Sequence, residues 1–420
     1  MPRTLTCFRT AAALFPALLS MALAHPADAA NCGNTSTGMI PIIDLGPATY
    51  QGFQGGLYPG GVNFRPSAHE SAGVAIAQSV TRLNKSGDPD PQGKIVMASI
   101  GMSNCYLEYG AFKNYADGYP GVNWGIQFVN LAQGGQVAET ICNPNAEYWD
   151  YVDQQLWWND VTAEQIQVVF FKNANRSPDG GFPGQAQTYG KQVGDIMHIL
   201  HDTFPNLKQV FITSRTYGGY ASIPLNPEPY AYESGFGIKW LIEAQIAGED
   251  SLNFDPAQGP VRCPWLSWGP YLWADGENPR SDGLTWPCSM FDSADGTHPN
   301  PAGQAVVAQI MTDWFLGDTA SSPWFYTAVS GVPAPVDITR PFSSPLPARA
   351  RTTLTWNEAT PPSEVSIFDV TGRRVRQLVG ATDRWDLSDD AGCPVPDGIY
   401  WARPSGAGPE RTARIVVQRN

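Results

Sequence analysis

Three residues in this chain have types and an order that suit hydrolytic chemistry. Ser103 lies in Ile100-Gly101-Met102-Ser103-Asn104-Cys105, directly after the apolar run Lys94–Ser99. Near the other end of the same region, Asp295-Gly296-Thr297-His298 precedes Asn300 and Pro301. Asn300 has the character of a helix N-cap and Pro301 that of a first helical residue, so the Asp-Gly-Thr-His segment is expected to be a tight turn before a helix. A turn of that length lets the carboxylate reach back to its own histidine. It can then fix the ring tautomer and stabilise the imidazolium formed when the ring takes a proton. A serine hydroxyl delivered to that histidine would be a nucleophile. Taken alone, a D-x-x-H segment is more often an acidic surface turn at a helix start. Metal binding by Asp292, Asp295 and His298 is a further option, although no fourth ligand is evident.

A nucleophilic serine also needs hydrogen-bond donors aimed at the oxygen on which charge develops. The elements that would position such donors are legible. KIVMASI, GIQFVNL, QIQVVFF and KQVFIT are short, rich in β-branched or aromatic residues, and not alternating. Such runs suit strands buried on both faces of a parallel sheet. Between and after them come helical patterns. Tyr189, Val193, Ile196, Met197 and Leu200 share one helix face ahead of Pro205, and Val306, Val307, Ile310 and Trp314 repeat the spacing. The expected fold class is therefore α/β, a three-layer α/β/α sandwich with a mostly parallel sheet. Ligands of such sheets bind beyond the carboxyl ends of the strands. Three polar clusters fall there: Gly101–Asn104, Asn130–Gly135 and Lys172–Asn175.

Taken together, these blocks resemble the SGNH hydrolases, also called GDSL-like esterases, over roughly residues 94–316. The serine block, SIGMSN, departs from Gly-Asp-Ser and is closer to the Gly-Gln-Ser-Asn form of carbohydrate O-acetylesterases in that superfamily. VNLAQGGQ resembles the glycine block, with Gly135 favoured by its spacing from Asn130 and Gly134 its rival. KNANR stands where the asparagine block is usually Gly-x-Asn-Asp. It aligns Asn175 with the asparagine but carries Asn173 and Arg176 in place of the glycine and aspartate. The Asp295–His298 block matches closely. The resemblance implies a cofactor-free serine hydrolase with Ser103, His298 and Asp295 as the catalytic group. The Ser103 and Gly135 amides and the Asn175 side chain would form the oxyanion hole. An α/β-hydrolase would instead use G-x-S-x-G and a more distant acid; here Cys105 occupies the second glycine position.

The implied substrate is an O-acyl ester, an O-acetyl group on a carbohydrate first, with simple esters or lipids next. Acyl transfer to a sugar and an inactive surface glycan-binding or adhesion protein are the other readings. The Trp-rich segment Cys263–Cys288 appears as a long insertion beside the last motif. Trp265, Trp268, Trp273 and Trp286 are its candidate sugar-stacking platforms, with core packing as the alternative.

The remaining features bound the setting. The chain has 420 residues and a net charge of −13, which disfavours nucleic acid and anionic membranes as partners. Arg3 and Arg9 precede AAALFPALLSMALA, and Ala27-Asp28-Ala29 follow. This layout is expected to be a secretory leader over residues 1–30, cleaved after Ala29 or Ala30, with a membrane anchor as the alternative disfavoured by Pro16 and the shortness of the run. A secreted or cell-surface location, bacterial periplasmic or extracellular, is the expectation. A hydrolase domain is expected over 31–325, a Pro-rich linker over 326–340 and a small β-sandwich over 341–420. EVSIFDVTGRRVRQL, DGIYWAR and RTARIVVQRN in that last domain resemble the immunoglobulin-like domain of flagellar hook-capping proteins and the sorting domains of exported bacterial proteins. That likeness implies an accessory role in contact with the cell surface or secretion machinery, with a passive β-sandwich spacer as the alternative. An oxidising compartment would favour disulfides among Cys32, Cys105, Cys142, Cys263, Cys288 and Cys393. The sequence leaves the pairing open; Cys263–Cys288 is the first expectation and Cys105–Cys142 the second.

Overall fold

The structure is a computed structural model. It describes residues 29–119 and 121–327 and, farther on, 352–353, 364–369, 373–379, 384–396, 398–404 and 413–417. Nearly all of the leader and of the Pro-rich linker lie outside the described residues.

Five strands form one wholly parallel sheet: β1 (Ile95–Gly101), β2 (Ile126–Asn130), β3 (Ile166–Lys172), β4 (Gln209–Ile212) and β5 (Trp265–Trp268). Their order across the sheet is β2-β1-β3-β4-β5. Every residue of β1 and β3 is buried, the outcome expected of unbroken apolar runs covered on both faces. The first four strands are those legible as apolar runs. The fifth comes from the Trp-rich segment, which is therefore part of the sheet rather than an insertion beside it.

Among the described residues, six helices of twelve residues or more accompany the sheet: α1 (Ser67–Gln78), α2 (Ser103–Asp117), α3 (Glu147–Trp158), α4 (Gly184–Thr203), α5 (Tyr230–Ile246) and α6 (Pro301–Gly317). Helix α2 packs on α6, and α4 packs on α5. The Phe315 ring of α6 meets Phe112 of α2 and Phe170 and Phe211 of the sheet, so this pair covers the face to which those strand residues point. Helix α4 buries Tyr189, Val193, Ile196, Met197 and Leu200, the expected face, and ends one residue before Phe204-Pro205. Gly190 and Gly237 let α4 and α5 approach backbone to backbone; a Cβ on Gly190 would lie 2.8 Å from the Gly237 carbonyl oxygen. Helix α6 starts as expected, with the Asn300 side chain accepting from the Ala302 and Gly303 amides. Its core face is centred on Val307, Met311 and Phe315, and Val306, Ile310 and Trp314 flank it half-buried.

The cysteine pairing corrects the expectation. Cys32 bonds Cys288, with Cα atoms 5.4 Å apart, and this pins the N-terminal segment to the loop before the Asp-Gly-Thr-His turn. Cys263 is free and buried, accepting from the Gln245 amide, and Cys105 and Cys142 are also free. Cys105 sits beneath the β1–α2 junction, its thiol on the Ile100 carbonyl, while Cys142 lies only half-buried at the end of a separate short helix.

Toward the C-terminus, β6 (Glu364–Asp369), β7 (Arg374–Val379), β8 (Gly398–Pro404) and β9 (Ala413–Val417) make an antiparallel sheet in the order β7-β6-β8-β9. A two-residue ladder joins Thr352–Thr353 to Arg384–Trp385. Val365, Ile367, Leu378, Trp385, Tyr400 and Ile415 form a core that shares no residue with that of the α/β unit. The expected small β unit is thus present as a body with its own interior.

Candidate active site

Strand β1 ends at Gly101, and helix α2 begins two residues later at Ser103. The reversal is tight. A Cβ on Gly101 would lie 1.9 Å from the Lys172 carbonyl oxygen at the end of β3, so only glycine fits. Ser103 is thereby the first residue of a fifteen-residue helix. Its N–H is one of the amides that a helix start leaves without an intrahelical acceptor, and the helix dipole adds partial positive charge there.

The Asp-Gly-Thr-His segment is the tight turn expected. Gly296 has φ +65, and a Cβ on it would sit 2.0 Å from the Tyr220 carbonyl oxygen, which explains the glycine. Asp295 Oδ1 accepts the Thr297 and His298 amides at 2.7 and 3.0 Å. Its Oδ2 lies 2.6 Å from His298 Nδ1. His298 Nε2 in turn lies 2.7 Å from Ser103 Oγ. Burial pushes the Asp295 carboxyl upward. The hydrogen bonds from the His298 ring and from the two backbone amides outweigh that and bring it down to about 2. Asp295 is therefore ionised at neutral pH. It holds Nδ1 as the protonated ring nitrogen and leaves Nε2 to accept from the serine. Asp292 turns its carboxylate to the Ala294 amide instead.

The glycine loop follows β2. Gln133 N donates to the Gly101 carbonyl, which docks this loop on the end of β1. A Cβ on Gly134 would lie 3.9 Å from Ser103 Cβ, so the loop passes beside that serine. Gly135, at φ +80, lines the same pocket as Ser103 and His298, and its N–H has no protein acceptor among the described residues. Asn175 lines this pocket too. Its Oδ1 accepts the Glu139 amide at 3.0 Å, and its Nδ2 donates one hydrogen to Gln192 Oε1 at 2.7 Å, leaving a second hydrogen. Asn173 plays a separate part. It is buried and braces the loops, donating to the Gln136 carbonyl and accepting the Ala174 amide.

The pocket has a volume of about 330 Å³. Met102, Val137, Ala174 and Leu225 supply apolar wall, and Asn104, Asn175, Asn226 and Thr297 polar wall. Arg176 and Arg215 add positive charge. Two participants had no role assigned from the sequence, Asn104 although it stands in the serine block and Arg215 with no motif at all. Asn104 Nδ2 donates to the Thr297 carbonyl at 3.0 Å, joining the serine's helix to the histidine's turn. Arg215 arrives from the loop after β4, a strand end that no motif marks. That loop's position beyond the carboxyl edge of the sheet was the available clue.

The tryptophans are a correction. Trp265, Trp268, Trp273 and Trp286 are each at most 1% exposed, and none lines the pocket. Their indole N–H groups donate to the His69 carbonyl, the Leu57 carbonyl, Glu228 and the Leu272 carbonyl respectively. With both ring faces packed in the core, none can stack on a sugar. His69, which stacks on Trp265, is a core histidine whose burial lowers it to about 4.

No family model matches the chain, and no curated protein matches it. Among solved structures it is similar to a Bacillus subtilis protein at 12% identity, over 54% of this chain and 57% of that one, with a TM-score of 0.30. It is also similar to a candidate SGNH hydrolase from Slackia heliotrinireducens at 12% identity, over 53% of this chain and 99% of that one, with a TM-score of 0.29. A third is a salicylyl-acyltransferase from a tetracycline biosynthetic pathway, at 12% identity over 59% and 58% of the two chains, with a TM-score of 0.30. This chain thus spans little more than half the length of the first and third. Likenesses this weak identify neither a family nor a substrate.

Proposed function

We propose that this protein is a serine esterase that cleaves O-acyl esters. The observation that carries the reading is the unbroken hydrogen-bond chain from Ser103 Oγ through His298 to Asp295, at the wall of a pocket. In the proposed cycle Ser103 Oγ attacks the acyl carbonyl while His298 Nε2 takes its proton. Asp295 stays ionised and stabilises the imidazolium. The Ser103 and Gly135 amides, with the remaining Asn175 amide hydrogen, receive the oxyanion. His298 then returns the proton to the departing alcohol, and water, activated by the same histidine, releases the acyl group from Ser103.

On the finer points, the proposed substrate is a short acyl ester, an acetyl group on a carbohydrate. The GMSN block and the modest pocket volume support this. Export through the N-terminal leader and attachment or sorting through the C-terminal β unit complete the proposal. One observation favours a second reading, a glycan-binding surface protein without turnover: the Asn175 amide is already committed in part to Gln192.

Rates on p-nitrophenyl acetate and acetylated xylan, measured beside Ser103→Ala and His298→Ala, test the proposal. Turnover should fall by about 10³-fold or more in either variant, the scale of other serine triads. Equal rates for the wild type and Ser103→Ala would remove the catalytic assignment. Glycan binding without turnover on any ester would select the second reading.

A further inference from the structure

Arg215 is 1% exposed and lines the same pocket as Ser103 and His298. Its Nε donates to Asn226 Oδ1 at 3.2 Å, which fixes the plane of the guanidinium. Neither Nη1 nor Nη2 has a hydrogen-bond partner among the described residues. A buried guanidinium stays charged at any ordinary pH, so two unsatisfied donor groups on it are costly to maintain without an acceptor.

The carboxylates nearest to it are engaged elsewhere. Glu108 Oε2 is taken by Lys172 at 2.5 Å, and its Oε1, although without a partner, makes no hydrogen bond to either Nη. Glu228 accepts from the Gly218 amide and the Trp273 indole through Oε1, and from the Tyr232 amide through Oε2. Burial also pushes Glu228 up to about 7, which thins the negative charge around Arg215 further. Asp295 is bound to His298 and two amides. Arg176, exposed at the same pocket, adds a second positive charge. Two arginines therefore converge on one pocket in a chain of net charge −13.

We propose that Arg215 is a specificity residue that receives a carboxylate carried by the ester substrate. Nη1 and Nη2 are themselves shut off from solvent, so a carboxylate meets their planar fork, whose parallel N–H groups match its two oxygens, through a local shift of the pocket wall beside Arg215. The proposal rests on the esterase reading and narrows it to anionic esters. The carboxylate can belong to the acyl part, as in a dicarboxylic half-ester, or to the alcohol part, as in an acylated hydroxy acid or uronate. The arms of the test separate these two.

The full chain is assayed in a pH-stat at low ionic strength on two matched pairs. Monomethyl succinate against methyl butyrate probes the acyl side, and acetoxyacetate against ethyl acetate probes the alcohol side. In one pair, kcat/KM for the anionic ester should exceed that for its neutral partner by tenfold or more. Arg215→Gln should lower that ratio at least tenfold, and Arg215→Lys should restore part of it. Ratios at or below one in both pairs, or a ratio that Arg215→Gln leaves alone, would overturn the proposal. Where Arg215→Gln does not fold, judged by circular dichroism, the wild type decides. Succinate or glycolate should raise its Tm at low ionic strength, whereas 1,4-butanediol should not, and no shift with either acid overturns the site. Equal inactivity of wild type and Ser103→Ala on all four esters would defeat the esterase reading alone, and the Tm shift would still decide the carboxylate site.

Discussion

Asn104 Nδ2 donates to the Thr297 carbonyl at 3.0 Å. The two residues are chain neighbours of Ser103 and His298. This bond therefore ties the proposed nucleophile Ser103 to the proposed base His298, residues separated by nearly two hundred positions of chain. Asn104→Ala would leave a buried carbonyl without its donor, at a cost of about 1–3 kcal/mol in stability. It would also free the histidine turn to drift, and small misplacements of reacting groups can cost on the order of 10²-fold. The expected result is a lower Tm and a kcat reduced about 10- to 100-fold. A kcat within about threefold of wild type would show that the bond does not set the site.

Much of this arrangement is legible from residue order, and the parts that are not have physical reasons. The strands β1 to β4 are continuous apolar runs, and the Asp295–His298 turn announces itself through Gly296 and the Asn300-Pro301 helix start. Strand β5 escapes because its four residues, Trp265–Trp268, lie among glycines and prolines, and only pairing with β4 makes them a strand. The tryptophans mislead for the same reason. Aromatic density near a motif has no direction until the chain is folded, and here the rings point into the core. Cys32–Cys288 joins residues 256 apart, a proximity that no local pattern encodes. Arg215 is equally silent, since an arginine after a strand becomes a pocket residue only through Asn226 and the loops around it.

Asp295 predicts a particular acid response. Its carboxyl titrates near 2 in the folded protein, below the ordinary aspartate value of 3.8. A depressed folded value means that the ionised group stabilises the native state. That contribution is fully present above about pH 4 and is lost as the pH falls toward 2. Urea unfolding from pH 6 to pH 2 should therefore show a steeper loss for wild type than for Asp295→Asn. Parallel curves would refute the linkage. At neutral pH Asp295→Asn should also lower kcat by about 10³- to 10⁴-fold, because the ring tautomer is no longer held.

Gly101 predicts a steric failure. A Cβ there would overlap the Lys172 carbonyl oxygen at 1.9 Å and approach Cys105 Cβ at 2.9 Å. The first contact is with backbone of the central strand pair, which cannot move without breaking the β1–β3 register. Gly101→Ala should cost about 2 kcal/mol or more, at the upper part of the range for overpacking. It should also displace Ser103, so activity should fall even in the fraction that folds. Chemical denaturation combined with active-site titration would check both. A variant as stable and active as wild type would contradict the close approach.

The last prediction concerns the ion pair beneath the site. Lys172 Nζ and Glu108 Oε2 lie 2.5 Å apart, and both side chains are 0% exposed. Burial pulls the Lys172 amine down, and the opposing pull of the Glu108 charge offsets this only in part. Glu108 Oε1 has no hydrogen-bond partner among the described residues, so the pair is incompletely satisfied. Removing one member leaves an uncompensated charge in the interior, which typically costs about 3–5 kcal/mol. Replacing both with apolar residues of similar size removes the desolvation burden of both. Lys172→Met and Glu108→Leu should therefore each be strongly destabilising, whereas the double variant should lie within about 2 kcal/mol of wild type. Urea unfolding of the four proteins closes a double-mutant cycle. Additive losses would show that the two charges do not compensate one another. Because the Lys172 carbonyl is the group that confines Gly101, the double variant also tests whether the pair or the backbone register holds the nucleophile's turn. Retained esterase activity in a stable double variant would assign that role to the register.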